Sequence, residues 1–197
     1  MEGEDLVLMK ILKDIDSGFF IDAGCYHPLH LNNTFLLYKK GWRGINIDVS
    51  KYSIDLFNYL RPLDTNINSA VTHTDGKTTV YYQKKLSQLT TVKKDISLKR
   101  MQGEIKEKTI NAYSLNTILK NNNFSNKKID FLNIDLEGAD YEAISSLNFE
   151  LYKPKTICIE ITEKNITESR IFKFLKNFNY KKIWSSKSNI SHIFIDN

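Results

Sequence analysis

An α/β fold with a mostly parallel sheet and helices on both faces is predicted for this chain, on three observations. Apolar runs of strand length recur and end in a glycine or an acid, as in "GFFIDAG", "RGINIDVS" and "KIDFLNIDLEG". Continuous rather than alternating hydrophobicity marks strands buried on both faces. Segments of helical spacing with polar caps separate these runs, the pattern of strand–helix–strand units. The last two strand-like runs, "YKKIWSS" and "SHIFID", are joined by a short loop containing Ser188 and Asn189. That loop cannot hold a crossover, so the pair is antiparallel.

The elements follow in order. An opening amphipathic helix places Leu6, Met9, Ile11 and Leu12 on its apolar side. "GFFIDAG" is a buried strand, and "NNTFLLYKKG" a helix with Asn32 or Asn33 as cap and Gly41 at its far end. "RGINIDVS" is a second strand ending in Asp48, with Ser50 placed to cap the helix "KYSIDLFNYL" and Pro62 to stop it. "TNINSAVT" reads as a third strand. "KTTVYYQ" and "TINAYSL" are β-rich but flank a lysine-rich stretch, so they read as an insertion or edge pair. "KIDFLNIDLEG" is the most apolar strand, followed by the helix "DYEAISSLNF", the strand "PKTICIEIT", the helix "TESRIFKFLKNFN" and the closing hairpin.

The chain has 197 residues, 41% of them hydrophobic and 26% charged, enough to bury one core, so residues 1–197 are read as a single domain. No run approaches the roughly 18–20 apolar residues of a membrane span. The opening "MEGEDLVLMK" is acidic where a secretory leader is basic, and a cytoplasmic protein is expected. Cys25 and Cys158 fall on non-adjacent strands about 10 Å apart, beyond the roughly 7 Å that a disulfide tolerates. The net charge of +5 has a location: residues 84–108 hold eight Lys/Arg against three Asp/Glu, and the remainder is neutral. Nucleic-acid binders interleave basic residues with aromatics for stacking. This segment has no aromatic residue, which disfavours nucleic acid as a partner; it reads first as a solvated loop or helix, and alternatively as a mobile cover that attracts an anionic small molecule or glycan.

In open α/β sheets, ligands bind beyond the carboxyl ends of strands. Those ends carry Asp22-Ala23-Gly24, Asp48, Asn68-Ser69-Ala70, Asp135-Leu136-Glu137-Gly138 and Glu160. Five acids at one edge do not await a polyanion. The dinucleotide fingerprint needs three glycines, two of them for pyrophosphate approach and helix packing. After Gly24 those places hold Tyr26 and the region of Leu29, and Pro28 removes a donor. A ligand with ribose and adenine but no phosphate removes the demand. Asp48, 26 residues after Asp22, ends the next strand where an acid can take both ribose hydroxyls. S-adenosylmethionine fits, because its sulfonium tolerates nearby carboxylates.

"GFFIDAGCYHP", "NNTFLLYKKGWRGINIDVS", "INSAV" and "IDFLNIDLEGADYEAISSLNFELYKPKTICIEI", with "GED" at 3–5 and "RPLD" at 61–64, resemble the FkbM family of S-adenosylmethionine-dependent methyltransferases. The resemblance covers the chain except the basic segment. It implies a Rossmann-like, seven-stranded class I methyltransferase fold with O-methylation, commonly of a sugar hydroxyl in glycan or natural-product pathways. With the strand ends, it implies that Asp22, Gly24 and the backbone of Cys25 and Tyr26 hold the methionine part, Asp48 the ribose, and Asn68, Ser69 and Ala70 the adenine. Asp135 and Glu137 fall where the methyl group points and, with His27, are the candidates for the base that takes the acceptor proton. His30 is a weaker neighbour, and His73 and His192 read as structural. Some sugar O-methyltransferases use a divalent metal. Asp135 and Glu160, with His27 or Glu163, are its natural ligands here, but the spacing does not demand one and none is assigned. Trp42 and Arg43 read as packing and a surface salt link. The rival functions are a nicotinamide-dependent oxidoreductase, disfavoured by the missing glycines, a non-catalytic binding module, and a nucleic-acid methyltransferase.

Overall fold

The computed structural model describes residues 2–197. It holds a seven-stranded sheet in the order β3-β2-β1-β7-β8-β10-β9, formed by β1 (Phe19–Ala23), β2 (Arg43–Asp48), β3 (Thr65–Asn68), β7 (Phe131–Ile134), β8 (Thr156–Glu160), β9 (Tyr180–Ser185) and β10 (Ser191–Asp196). The first five are parallel, and β10 runs antiparallel to both β8 and β9. The expected class is therefore the observed one. β1 lies third in that order, between β2 and β7, with Asp22 level with Asn46 on one side and Asn133 on the other. The chain steps outward from β1 to β3, then returns to β7 and steps the other way. Strand order reverses between β1 and β7, which opens a crevice there.

Both faces of the sheet are covered. On one, Ile21, Ile45, Leu132 and Ile157 meet α5 (Leu115–Asn121), α6 (Asp140–Ser145) and α8 (Arg170–Asn177). On the other, Phe20, Phe131 and Ile193 meet α1 (Glu4–Ile11), α2 (Phe35–Lys39) and Trp42. A smaller cluster packs α3 (Lys51–Leu60) against Cys25 through Ile54 and Phe57. Trp42 is packing, as expected, but Arg43 forms no salt link among the described residues: its guanidinium lies 4.7 Å from the Tyr38 ring centre.

Five local details differ from the sequence reading. Leu8 and Leu12 form the buried stripe of α1, while Leu6 is 66% exposed. Spacing of four carries the stripe back to Glu4, which is buried as well. Asn32 and Asn33 do not cap α2; the buried Asp22 carboxylate draws Asn32 and Thr34 inward instead. The third strand breaks at Ser69. Its second half, β4 (Ala70–Val71), joins β6 (Lys106–Tyr113) and β5 (Gly76–Tyr82) in a separate three-stranded sheet. β5 and β6 are the antiparallel pair flanking the basic insertion, which contains α4 (Lys94–Arg100). After β7 the helix is interrupted, and Asn148 starts α7 (Phe149–Tyr152) by accepting from the Glu150 and Leu151 N–H groups. Finally, α5 has no counterpart in the sequence reading, although Ser114 caps it and Leu115, Ile118 and Leu119 have helical spacing.

Candidate functional site

A cavity of about 280 Å³ lies over the ends of β2, β1, β7 and β8. Gly24, at the end of β1, has φ 85°, and a Cβ there would lie 1.8 Å from the Asp135 carbonyl oxygen. Its hydrogen side chain is thus required by the close approach of two backbones. The first three backbone donors of the turn are engaged within the protein. The N–H groups of Gly24 and Cys25 donate to the Ile47 carbonyl at 2.9 and 3.2 Å, and the Tyr26 N–H donates to Asp48. Cys25 and Tyr26, whose backbone is expected to hold the methionine part, both line the cavity, with their N–H groups engaged within the protein.

Asp22 is likewise occupied. Its carboxylate accepts from Asn133 Nδ2 and Asn32 Nδ2 at 2.9 Å and from Thr34 Oγ1 at 2.8 Å. Burial raises its pKa, and these three donors oppose the rise. Behind them lies Arg61, fully buried among Phe20, Tyr38 and Phe57. It donates to Asp64 Oδ2 at 2.9 Å and to Asn32 Oδ1 and Thr34 Oγ1 at 3.1 Å each. Asp64 in turn accepts from the Gly44 N–H and from Asn46. The Arg61–Asp64 pair of "RPLD" is thus a buried strut that holds the turn after β1 against β2. It fixes the shape of the cavity from outside it.

At the β2 end, Asp48 Oδ2 accepts from Tyr26 N–H at 2.9 Å and Oδ1 from Ser50 N–H at 2.7 Å. The carboxylate is fixed in orientation and keeps lone pairs for a ligand. Burial pushes its pKa up to about 6 despite both donors. Ser69 and Ala70 line the wall beside it. Ser69 Oγ is buried without a hydrogen-bond partner, an orphan that a ligand's polar edge would satisfy. Asn68 is not on the wall; its side chain donates to the Asp48 carbonyl at 2.9 Å and so steadies Asp48.

At the β7–β8 end, Asp135, Glu137 and Glu160 line the cavity together. Burial, then repulsion from Glu160 and Glu137, holds the Asp135 carboxyl well above the usual range. Glu160 is pushed up to about 7 by burial and by Asp140 and Glu137. Glu137 sits at φ 50°, and its carboxylate pairs with Arg100. Asp140, itself raised to about 7, holds this loop by accepting from Leu136 and Gly138 N–H at 2.9 and 3.1 Å. A carboxyl that ionises near neutrality beside others is suited to exchanging a proton.

His27 does not line the cavity. Its Nδ1 accepts from the Leu29 and His30 N–H groups at 3.1 Å each. Two charged lining residues lie outside the candidate site set. Glu4 arrives on the α1 stripe, whose spacing from Leu8 was the available signal. Arg100 arrives from the basic insertion. The insertion also supplies Ser87–Val92 to the wall, and Thr91 Oγ1 donates to the Glu137 carbonyl at 2.8 Å. Six carboxylates therefore surround the cavity (Glu4, Asp22, Asp48, Asp135, Glu137 and Glu160) against the single Arg100 cation among the described residues. Such a cavity favours a cationic ligand over a phosphate. Among the described residues no group of three or more His, Cys, Asp or Glu is arranged to hold a metal ion.

A comparison with curated proteins returns no match. A solved structure that the chain resembles is the 1,6-didemethyltoxoflavin-N1-methyltransferase of Burkholderia thailandensis, with 1,6-didemethyltoxoflavin and S-adenosylhomocysteine bound. The two share 11% identity, over 98% of this chain and 74% of that one, at a TM-score of 0.42. The family comparison reaches further, since residues 22–182 match the Methyltransferase FkbM domain. That span runs from the β1 carboxylate through the central acidic loop into β9, and the chain belongs to the FkbM methyltransferase family.

Proposed function

We propose that this chain transfers a methyl group from S-adenosylmethionine to a hydroxyl oxygen of a sugar, in a glycan or a nucleotide-linked substrate. Family membership supports the methyl donor, and the observation that carries its placement is the acid-lined cavity with the Asp48 carboxylate at one end and three raised carboxyls at the other. Bound there, S-adenosylmethionine supplies an electrophilic methyl group. Asp48 takes the ribose hydroxyls, and Ser69 and Ala70 flank the adenine. Asp22 and Gly24 shape the turn beside the methionine part, whose ammonium the surrounding carboxylates favour. Asp135, Glu137 or Glu160 accepts the acceptor's proton as the oxygen attacks. Ionisation near pH 7 suits Glu160 to that step, since it can both take a proton and give it up. Residues 84–108 serve as a cover, because Ser87–Val92 form part of the wall. Two buried free thiols suit the reducing cytoplasm.

The test is incubation with methyl-labelled S-adenosylmethionine and a panel of free and nucleotide-linked sugars, with the product linkage read by mass spectrometry and NMR. An O-methyl sugar is expected. At least one of Asp135→Asn, Glu137→Gln and Glu160→Gln should lower turnover by about 10²–10⁴ while S-adenosylhomocysteine affinity changes little. Methylation of nitrogen alone, or wild-type turnover in all three variants, contradicts the reading.

A further inference from the structure

Beside the acid-lined cavity lies a second one, also about 280 Å³, of opposite character. Lys51, Lys84, Lys85 and Lys108 line it against one acid, Asp55, with Tyr52 and Tyr82 as aromatic walls. Three parts of the chain meet there. The first turn of α3 gives Lys51 and Tyr52; β5 and the start of the insertion give Tyr82, Lys84 and Lys85; and β6 gives Lys108. The frame is tied together: Ser50 Oγ donates to the Lys85 carbonyl at 2.5 Å and Lys108 Nζ to the Val49 carbonyl at 2.7 Å. Lys108 Nζ also lies 5.5 Å from the Tyr82 ring centre.

Of the four ammonium groups, Lys51 has a carboxylate partner, Asp55 at 2.7 Å, within the cavity lining. Like charges gathered on one wall repel unless an anion lies among them. Lysine binds phosphate as a point charge, and tyrosine faces suit a flat ring. Thr90 belongs to both cavities, so the segment that walls the lysine site also covers the acidic one. A phosphate repelled by six carboxylates next door has its place here.

We propose that the lysine cavity binds a nucleoside diphosphate, with the diphosphate among Lys51, Lys84, Lys85 and Lys108, and that this ties the start of the insertion down over the acidic cavity. The nucleotide is either part of a nucleotide-linked acceptor, which rests on the function proposed above, or a free nucleotide. Binding itself requires neither.

The test is calorimetric titration of uridine diphosphate and of inorganic pyrophosphate into protein saturated with S-adenosylhomocysteine at low ionic strength, alongside the rate of S-adenosylhomocysteine release. Uridine diphosphate should bind at least about tenfold more tightly than pyrophosphate and slow release several-fold. K84Q/K85Q should lose at least about tenfold of that affinity and the slowing, with unchanged Tm and unchanged S-adenosylhomocysteine affinity in the absence of nucleotide. Absence of binding by both anions, or binding untouched in K84Q/K85Q, overturns the site. Equal affinities for the two overturn the nucleoside part, and unaltered release overturns the coupling. Methyl transfer is not read, so a wrong acceptor leaves each of these outcomes intact.

Discussion

At the scale of single residues, Asp48 and Gly24 show how different the reasons for two adjacent motif positions can be. Asp48 ionises with a pKa of about 6 because burial outweighs the Ser50 and Tyr26 donors. A ribose hydroxyl bonds most strongly to the charged form. At pH 5 about nine-tenths of such a group is protonated, so affinity for S-adenosylhomocysteine should fall about tenfold between pH 7.5 and pH 5. Asp48→Asn should flatten that dependence, as titration at several pH values would show; the same pH slope in the variant would assign the titration to another group. The sign for folding is opposite. A carboxyl whose folded pKa is raised from 3.8 to about 6 does not oppose folding below pH 4, and opposes it fully above pH 6. Gly24 has no such chemistry. Gly24→Ala meets the Asp135 carbonyl at 1.8 Å with φ at 85°, and should cost more than the roughly 1–2 kcal/mol of left-handed strain alone. Urea unfolding measures it, and a loss below about 1 kcal/mol would show that the two strand ends can separate freely.

At the scale of elements, the insertion is where charge reading and structure diverge. Its excess positive charge is partly committed: Arg100 to Glu137, Lys93 to Glu142 at 2.8 Å, and Lys99 to Asp95 at 3.8 Å. Arg100 and Lys93 are thus tethers to the loop and helix after β7, while Lys84 and Lys85 face the second cavity. Ile96 packs 3.2 Å from the position a Cβ would take on Gly138, closing the same contact. Removing the Arg100 tether should loosen the segment without touching the sheet. Arg100→Gln is expected to raise amide exchange and proteolysis within residues 84–105 and to speed S-adenosylhomocysteine release several-fold, with Tm nearly unchanged. Unaltered exchange in that segment would mean that Thr91 and Ile96 hold it alone. None of these contacts was legible in the sequence, because long-range pairing of a lysine with a particular glutamate leaves no local pattern. The caps of α3 and α8 left one: Ser50 and Ser169 accept from the third residue onward, as their spacing indicates.

At the scale of the whole molecule, the parallel sheet and its acidic edge were readable because buried parallel strands write themselves as unbroken apolar runs ending at the ligand side. β1, β2, β7 and β8 were found in this way, and so were five of the carboxylates at the cavity, whereas the polar β3 leaves no such run and its break at Ser69 left no signal. Harder to read were positions whose role depends on partners far along the chain. Arg61 is a charged residue at the end of a helix until Asn32, Thr34 and Asp64 surround it. His27 sits one residue from Tyr26 on the wall yet turns its ring to its own loop. Asn68 adjoins the cavity in sequence but acts through Asp48. Proximity along the chain stood in for direction, and a side chain's direction is set by its hydrogen bonds.

The central claim is that the acid-lined cavity is an S-adenosylmethionine site anchored by Asp48. Its most direct test is calorimetric titration of S-adenosylhomocysteine into the wild-type chain and into Asp48→Ala, with NAD as control. One S-adenosylhomocysteine per chain is expected, weakened in the variant by roughly 2–3 kcal/mol as two charge-assisted hydrogen bonds are lost, with no heat from NAD. Equal affinity in a folded Asp48→Ala chain, or saturable binding of NAD in its place, would contradict it.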